Sequence, residues 1–184
     1  KSTITLKNIA LNKSRIAFID VLKKMGGKIR IKKTKNISGE DVGDIHVKYS
    51  LLNAIKIKAS LSPYLIDEYP ILSIAASQAK GITTMRGLSE LRHKESDRIK
   101  SIVTNLSKVG FKVVSKKDDI SIKGSNKIQI DNRKKIKTYS DHRIAMSFVI
   151  LGLLYKNKLI IDDESCISIS YPDFKKHLKK LSIH

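Results

Sequence analysis

Hydrophobic and polar residues alternate along the chain with two periods, one typical of strands and one typical of helices. Residues 2–6 alternate as a β-strand does, and residues 15–25 have the spacing of an amphipathic helix that Gly26-Gly27 closes. Strands are predicted again at 28–32 and 44–49. The apolar residues on one face of the helix are Ile16, Ile19, Leu22 and Met25.

The same succession of elements recurs in the middle of the chain. A strand is predicted at 82–85, a helix ends at Gly110, and strands follow at 111–115 and 120–122. The apolar face of this second helix consists of Ile99, Ile102, Val103 and Leu106. A repeated βα unit indicates a domain built by stacking similar modules.

A shorter third copy follows near the end of the chain. It is predicted to have a strand at 158–162 and a helix at 171–181. The residues of this helix that should face inward are Phe174, Leu178 and Leu181. The polar and basic segment 126–138 is interpreted as a strand edge and a loop.

Two further helices have a different pattern. Residues 70–79 and 142–155 are apolar on nearly every face, which is typical of helices buried inside a domain. The pattern therefore predicts helices on the inside and strands on the outside.

Charged residues precede both apolar helices. Asp67 lies just before Pro70, and Asp141 lies just before the second helix. Helix N-termini attract anions and keep a carboxylate ionised, as a general base must be. From spacing alone, each of these two acids is either a helix cap or a site residue.

Arg143 opposes the dipole of its own helix, because it lies in the first turn. It therefore needs an anionic partner, either a protein carboxylate such as Asp141 or a ligand. The neighbouring His142 is interpreted as a polar group at the helix end.

Residues 91–98 form a third charged segment. Composition alone favours a solvated run in which Glu95 and Arg98 pair three residues apart. A helix there would also place Lys94 and Arg98 on one face, where the pair could hold a carboxylate or a phosphate.

The composition fits one globular domain of 184 residues with 41% hydrophobic residues. The formal net charge of +20 is interpreted as a solvated surface, as a field that draws an anionic substrate, or as a nucleic-acid surface. The basic residues are scattered rather than interleaved with aromatic residues on one face, so no nucleic-acid partner is expected.

The single Cys166 leaves no internal disulfide and no cysteine metal pattern, as expected in a reducing compartment such as the cytoplasm. No apolar run is long enough to span a bilayer, so no membrane partner is expected. No signal peptide is visible, and the chain starts inside a strand pattern as if cut from something longer.

Three motifs carry a resemblance. They are Asp67-Glu-Tyr-Pro70, Lys94-Glu-Ser-Asp-Arg98 and Asp141-His-Arg-Ile-Ala-Met146, in this order. Together they resemble the 5-enolpyruvylshikimate-3-phosphate synthase family, and the resemblance covers nearly the whole chain.

The resemblance implies an α/β (α+β) fold of an inside-out kind, a repeat of βαβαββ units with buried helices and sheets on the outside. Residues 1–184 correspond to the C-terminal domain of a two-domain enolpyruvyl transferase. The active site of the family lies in the cleft against the N-terminal domain, which is a partner outside this chain. The isolated chain is expected to be inactive, and the full-length protein to be a monomer.

The implied reaction moves the enolpyruvyl group of phosphoenolpyruvate to the 5-hydroxyl of shikimate 3-phosphate and releases phosphate. By motif position, Asp67 resembles the proton acceptor, which also contacts the shikimate hydroxyls, and Glu95 resembles the proton donor. Lys94 resembles a contact to shikimate 3-phosphate. Arg98 and Arg143 resemble the clamp on the phosphoenolpyruvate carboxylate. No metal or organic cofactor is implied.

Two positions depart from the common family pattern. Ile169 stands where many members have a Lys that meets a substrate phosphate, and Glu90 stands where many have Asn. Both changes resemble a divergent bacterial class of the family. The alternatives are the sister transferase acting on UDP-N-acetylglucosamine, which lacks the Lys94–Arg98 motif, and a non-catalytic basic module that binds nucleic acid.

Overall fold

The computed structural model describes residues 2–125, 134–155 and 159–181. The first copy of the repeat forms a three-stranded antiparallel sheet with the strand order β1-β3-β2 and one helix. Its elements are β1 (Thr3–Ala10), α1 (Ala17–Lys24), β2 (Lys28–Ile37) and β3 (Glu40–Lys48). All four predicted elements are confirmed, and each strand is longer than the pattern indicated.

The second copy contains more elements than predicted. They are β4 (Lys56–Ile57), α2 (Ser62–Leu65), α3 (Tyr69–Gln78), β5 (Gly81–Met85), α4 (Arg98–Lys108), β6 (Lys112–Lys116) and β7 (Asp119–Gly124). Its sheet has the order β4-β5-β7-β6, with β4 parallel to β5 and the other pairs antiparallel. Strand β4 and helix α2 were not predicted, because a two-residue strand and a one-turn helix have no period to detect.

The elements β4-α3-β5-α4-β6-β7 form one complete βαβαββ unit. The elements β1-α1-β2-β3 repeat its second half, so that α1 corresponds to α4. This correspondence explains why residues 22–29 and 106–113 resemble each other in sequence.

The third copy begins with an isolated parallel bridge between Ile136 and Ile161, on either side of α5 (His142–Gly152). The pair repeats the parallel arrangement of β4 and β5 around α3. The predicted strand at 158–162 is reduced to this bridge, and Lys158 and residues 126–133 lie outside the described part of the chain. Two helices follow, α6 (Ser165–Ser170) and α7 (Phe174–Leu181).

Helix α6 was not predicted from the sequence. Helix α7 was predicted, but the prediction of which of its residues face inward is only partly correct. Phe174 and Leu178 are half-buried, whereas Leu181 is 49% exposed. The prediction that Leu181 faces inward is therefore wrong, since about half of its side chain meets solvent.

The helices α3 and α5 form the inside of the domain, and the strands lie around them. The buried core includes Leu72 and Ala76 of α3 and Ile144, Phe148 and Leu151 of α5. The two helices contact each other, and α3 also packs on β7. The strands β1, β2 and β6 are mostly exposed. The predicted inside-out arrangement is confirmed.

Within residues 2–125, 134–155 and 159–181, no helix has the length and apolarity needed to cross a membrane.

Candidate active site

Three helix N-termini meet at one place in the domain. Asp67 lies in the turn before α3, Arg98 is the first residue of α4, and Arg143 lies in the first turn of α5. The charged groups that the sequence placed in three separate motifs are thus brought together. A hollow of about 210 Å³ adjoins Asp67 and Arg143, and Ile71 and Met146 line its apolar side.

Arg98 is the centre of this cluster and is almost fully buried, with 1% of its side chain exposed. Each of its three nitrogens meets a different carboxylate. Nε donates to Asp141 Oδ2 at 2.8 Å, Nη1 to Asp67 Oδ1 at 3.3 Å, and Nη2 to Glu95 Oε2 at 2.6 Å. A buried guanidinium is stable only when it is paired and hydrogen-bonded in this way.

Asp141 is fully buried and accepts four hydrogen bonds. Its Oδ1 accepts the backbone N–H groups of Arg143 at 2.9 Å and Ile144 at 3.3 Å, which confirms the predicted cap of α5. Its Oδ2 accepts from Ser96 Oγ at 3.1 Å and from Arg98. Asp141 therefore caps α5 and also pairs with Arg98 in the cluster.

A tight turn presents Asp141 to the cluster. The Asp141 N–H donates to the carbonyl of Thr138 at 3.1 Å, and the residues between them, Tyr139 and Ser140, have φ angles of 55° and 57°. Two consecutive left-handed residues define a type I′ turn, which glycine or asparagine fills with less strain than Tyr and Ser. The backbone that positions the Asp141 carboxylate is therefore strained at Tyr139 and Ser140.

Arg143 has the anionic partner that its position requires, but that partner is Asp67 rather than Asp141. Its Nη2 lies 3.3 Å from Asp67 Oδ2, and its Nη1 donates to the Asp67 carbonyl oxygen at 3.1 Å. The neighbouring His142 is half-buried at the helix end.

Asp67 does not cap α3. The residue at the cap position is Glu68, whose side chain makes no capping hydrogen bond. The Asp67 carboxylate instead faces three arginines, Arg98, Arg143 and the more distant Arg15 at 3.6 Å. The capping interpretation of Asp67 is wrong, because its carboxylate turns toward the arginines and away from the free N–H groups of its helix.

The surroundings of Asp67 keep it ionised. Partial burial raises the pKa of the Asp67 carboxyl, but the charge of Arg143, the hydrogen bond and charge of Arg98, and the charge of Lys94 outweigh burial. The net result is a pKa below the ordinary 3.8. For Glu68, burial dominates over the charges of Arg15 and Arg143, and the pKa is raised.

Glu95 and Lys94 lie in the loop before α4, and both are exposed. Helix α4 begins only at Arg98, because Asp97 caps it by accepting the Lys100 N–H at 3.0 Å. The prediction that Lys94 and Arg98 share one helix face is therefore wrong. Glu95 and Arg98 do pair three residues apart, as predicted, but outside a helix.

The two departures from the family pattern lie on the surface. Ile169 on α6 is 84% exposed, and Glu90 lies in an exposed turn before the Lys94 loop. Neither supplies a positive charge to the cluster.

Arg15 and Ser96 belong to the cluster but were not predicted from the sequence. Arg15 ion-pairs with Asp67 and with Glu68 from the turn before α1, and its spacing to those acids gave no signal. Ser96 lies inside a recognised motif but received no role, although its hydroxyl reaches Asp141.

Among the described ranges, no group of three or more His, Cys, Asp or Glu side chains is arranged to hold a metal ion. The acids of the cluster are held by arginines instead. The arrangement suits the recognition of carboxylate or phosphate anions and the transfer of protons.

The chain is similar in sequence and in fold to several known proteins. The profile of a family described as EPSP synthase (3-phosphoshikimate 1-carboxyvinyltransferase) matches residues 1–178. The 3-phosphoshikimate 1-carboxyvinyltransferase of Petrotoga mobilis is 43% identical, over 98% of this chain and 41% of the relative. That of Carboxydothermus hydrogenoformans is 44% identical, over 98% of this chain and 42% of the relative.

A solved structure of EPSP synthase from Acinetobacter baumannii superimposes with a TM-score of 0.89 at 33% identity. The match covers 97% of this chain and 41% of that chain. The chain thus spans about two fifths of the length of the relatives that it matches.

Proposed function

The chain belongs to the EPSP synthase family, and on that basis we propose that it supplies half of the active site of a 3-phosphoshikimate 1-carboxyvinyltransferase. The reaction transfers the enolpyruvyl group of phosphoenolpyruvate to the 5-hydroxyl of shikimate 3-phosphate and releases phosphate. The other half of the site belongs to an N-terminal domain of the full-length protein.

The observation that carries the proposal is the meeting of Asp67, Glu95, Arg98 and Arg143 at three helix N-termini. Both substrates are anions, and a site for them needs fixed positive charge. Arg98 and Arg143 supply it as planar groups that match the geometry of a carboxylate. Lys94, which is exposed near Asp67, supplies a mobile point charge for shikimate 3-phosphate.

The two acids divide the proton transfers. Asp67 accepts the proton of the attacking hydroxyl, because the arginines around it lower its pKa and keep it ionised. Glu95 lies on the exposed side of Arg98 and donates the proton that the vinyl carbon of phosphoenolpyruvate needs. Elimination then returns a proton from the new methyl group to Glu95, and the proton held by Asp67 leaves with the departing phosphate.

The proposal is tested by the Asp67→Asn variant of the full-length protein, assayed by phosphate release. Asn keeps the shape of the side chain but cannot accept a proton, so we expect kcat to fall by about 10²–10⁴ while both substrates still bind. Glu68→Gln is the matched control, because it removes the adjacent carboxylate that shares Arg15.

We expect Glu68→Gln to keep kcat within about threefold of the parent. A parent protein that releases no phosphate from the two substrates contradicts the proposed function. An Asp67→Asn variant with near-parental kcat contradicts only the role of Asp67 as the base.

A further inference from the structure

Arg15 reaches the cluster from the turn before α1, and its guanidinium joins two neighbouring acids. Nη1 lies 3.6 Å from Asp67 Oδ2, and Nη2 lies 3.7 Å from Glu68 Oε1. The turn that carries Arg15 is fixed locally, because the N–H and the hydroxyl of Ser14 donate to Asn12 Oδ1 at 2.9 Å and 2.6 Å. The Arg15 N–H also donates to the Asn12 carbonyl oxygen at 2.9 Å. The Arg15 side chain therefore starts from a well-defined backbone position.

The repeat places two arginines in similar positions. Residues 22–29 match residues 106–113, and this match aligns Arg15 with the residue that follows Arg98. Arg98 reaches from the start of α4 to Asp141, the acid before α5. Arg15 reaches from the turn before α1 to the two acids before α3. The contact of Arg15 is thus a feature of the repeated module, and not a chance approach of surface charges.

Glu68 is the acid that depends most on Arg15. Its side chain is only 14% exposed, and within the described ranges its ion pair is with Arg15 alone. Burial raises the pKa of the Glu68 carboxyl, and the charge of Arg15 is the largest effect that opposes burial, followed by the charge of Arg143. A largely buried carboxylate that loses its cation either takes up a proton or attracts the next cation. For Glu68, the next cation is Arg143.

Arg143 is engaged by the other acid of this pair. Its Nη2 lies 3.3 Å from Asp67 Oδ2, and its Nη1 donates to the Asp67 carbonyl oxygen at 3.1 Å. The Arg143 side chain is 28% exposed and is therefore less confined than that of Arg98, which is 1% exposed. A turn of Arg143 toward an unpaired Glu68 would break both contacts with Asp67. It would also move the guanidinium that the proposed site offers to phosphoenolpyruvate.

We propose that Arg15 is a positioning residue of the site, which neutralises Glu68 and thereby keeps Arg143 on Asp67. Arg15 contacts no substrate in this role and acts through its two acidic neighbours. The inference deepens the proposed function and rests on it, because the arrangement that Arg15 maintains is the proposed base together with one arginine of the proposed carboxylate clamp.

The test is steady-state phosphate release by variants of the full-length protein. Arg15→Ala removes the cation, Glu68→Gln removes the charge that it neutralises, and the double variant removes both. Arg86→Ala is the matched control, because Arg86 is also 57% exposed and pairs, at 3.9 Å, with Asp119, an acid outside the cluster. A thermal melt of each variant verifies that it is folded.

We expect Arg15→Ala to lower kcat/KM for phosphoenolpyruvate by about tenfold, because a small misplacement of Arg143 weakens both the clamp and the base. The KM for shikimate 3-phosphate should stay within about threefold of the parent, and Arg86→Ala should stay within about twofold in every constant. The double variant should recover to within about threefold of Glu68→Gln, because no unpaired Glu68 charge remains to attract Arg143.

This recovery separates positioning from the other roles that an arginine can have here. A double variant as slow as Arg15→Ala would mean that Arg15 binds a substrate or supports the fold directly, and it overturns the inference. An Arg15→Ala variant with parental kcat/KM, or one that loses both substrates equally, overturns it as well.

Arg15→Lys keeps the inference testable if Arg15→Ala does not fold. It retains a positive charge near Glu68, so kcat/KM for phosphoenolpyruvate should stay within about threefold of the parent. A tenfold loss in Arg15→Lys would overturn the inference. A parent protein that releases no phosphate contradicts the proposed function instead.

Discussion

Arg98 shows how much a single residue of this chain depends on its neighbours. Its burial is stable only because three acids from three segments surround it. Removing an arginine from such a place leaves uncompensated charges, which typically costs about 3–5 kcal/mol in folding stability. Asp67 is bound into the same network, so its ionisation should contribute to folding as well as to its proposed role as a base.

The pKa of Asp67 is lowered in the folded chain, mainly because Arg143 and Arg98 outweigh the effect of partial burial. An acid of this kind adds stability above its unfolded pKa and loses that stability as the pH falls through its folded pKa. We therefore expect the Tm difference between the chain and its Asp67→Asn variant to shrink between about pH 6 and pH 3.

Glu68 provides a control, because its contribution to stability should change with pH in the direction opposite to that of Asp67. Burial raises its pKa, so its ionised form opposes folding and acidification relieves that opposition. The Tm of the chain relative to Glu68→Gln should therefore increase over the same acidification, as followed by circular dichroism. A Tm difference for Asp67→Asn that does not change with pH would contradict the proposed ion pairs of Asp67.

At the residue scale, the sequence predicted which side chains gather in the cluster, and of the contacts between them it predicted the pairing of Glu95 with Arg98. The motif resemblance singled out Asp67, Glu95, Arg98 and Arg143, and the structure brings all four together. Arg15 was not predicted to reach the cluster, and neither were the contacts of Asp141 with Ser96 and Arg98, because no periodicity encodes the direction of a side chain.

At the scale of elements, the turn between Thr138 and Asp141 connects local backbone strain to the site. The left-handed backbone of Tyr139 and Ser140 aims Asp141 at Arg98 and at the start of α5 together. Left-handed backbone at non-glycine residues costs on the order of 1 kcal/mol and persists only where other contacts fix it.

Ser140→Gly should relieve part of this strain, since Ser140 is exposed and has a φ of 57°. We expect a gain of about 0.5–1 kcal/mol in the free energy of unfolding, measured by urea titration of the chain. Ser168→Gly is the control, because Ser168 is exposed within α6. A glycine inside a helix should lower the free energy of unfolding by about as much as a glycine in the turn raises it. A destabilised Ser140→Gly variant would mean that the Ser140 side chain stabilises the turn.

The long elements were predictable, and the short ones were not. The helices α1, α3, α4 and α5 were all found from their apolar spacing. The placement of Lys94 was wrong because the cap at Asp97 starts α4 later than the charge pattern suggested. Helix α6 was not predicted because it has six residues, too few to establish a helical period.

At the scale of the whole molecule, the repeat governs the architecture. Within the described residues, one complete βαβαββ unit, which contains α3, packs with parts of two others, and the charged cluster lies at the N-terminal ends of α3, α4 and α5. The sequence predicted this inside-out arrangement from two helices that are apolar all round. The apolar pattern of those helices did not indicate that the chain matches only about two fifths of each relative's length.

Because the proposed site needs a second domain, we expect the chain alone to unfold cooperatively but to release no phosphate from the two substrates. The measurement is a phosphate-release assay beside a thermal melt of the same sample. Adding a separately expressed N-terminal domain of the same enzyme should restore part of the turnover. Turnover by the chain alone at a rate typical of enzymes, on the order of 1 s⁻¹ or faster, would contradict the two-domain site.

The three acids around Arg98 come from the turn before α3, the loop before α4 and the cap of α5. The same contacts that prepare the site therefore also fasten three segments of the domain to one another. In evolutionary terms, a lineage that changed one of these acids would lose stability and, if the proposed function holds, substrate recognition in a single step. New specificities in such a protein should arise after stabilising substitutions elsewhere have accumulated, or from positions outside this arginine network.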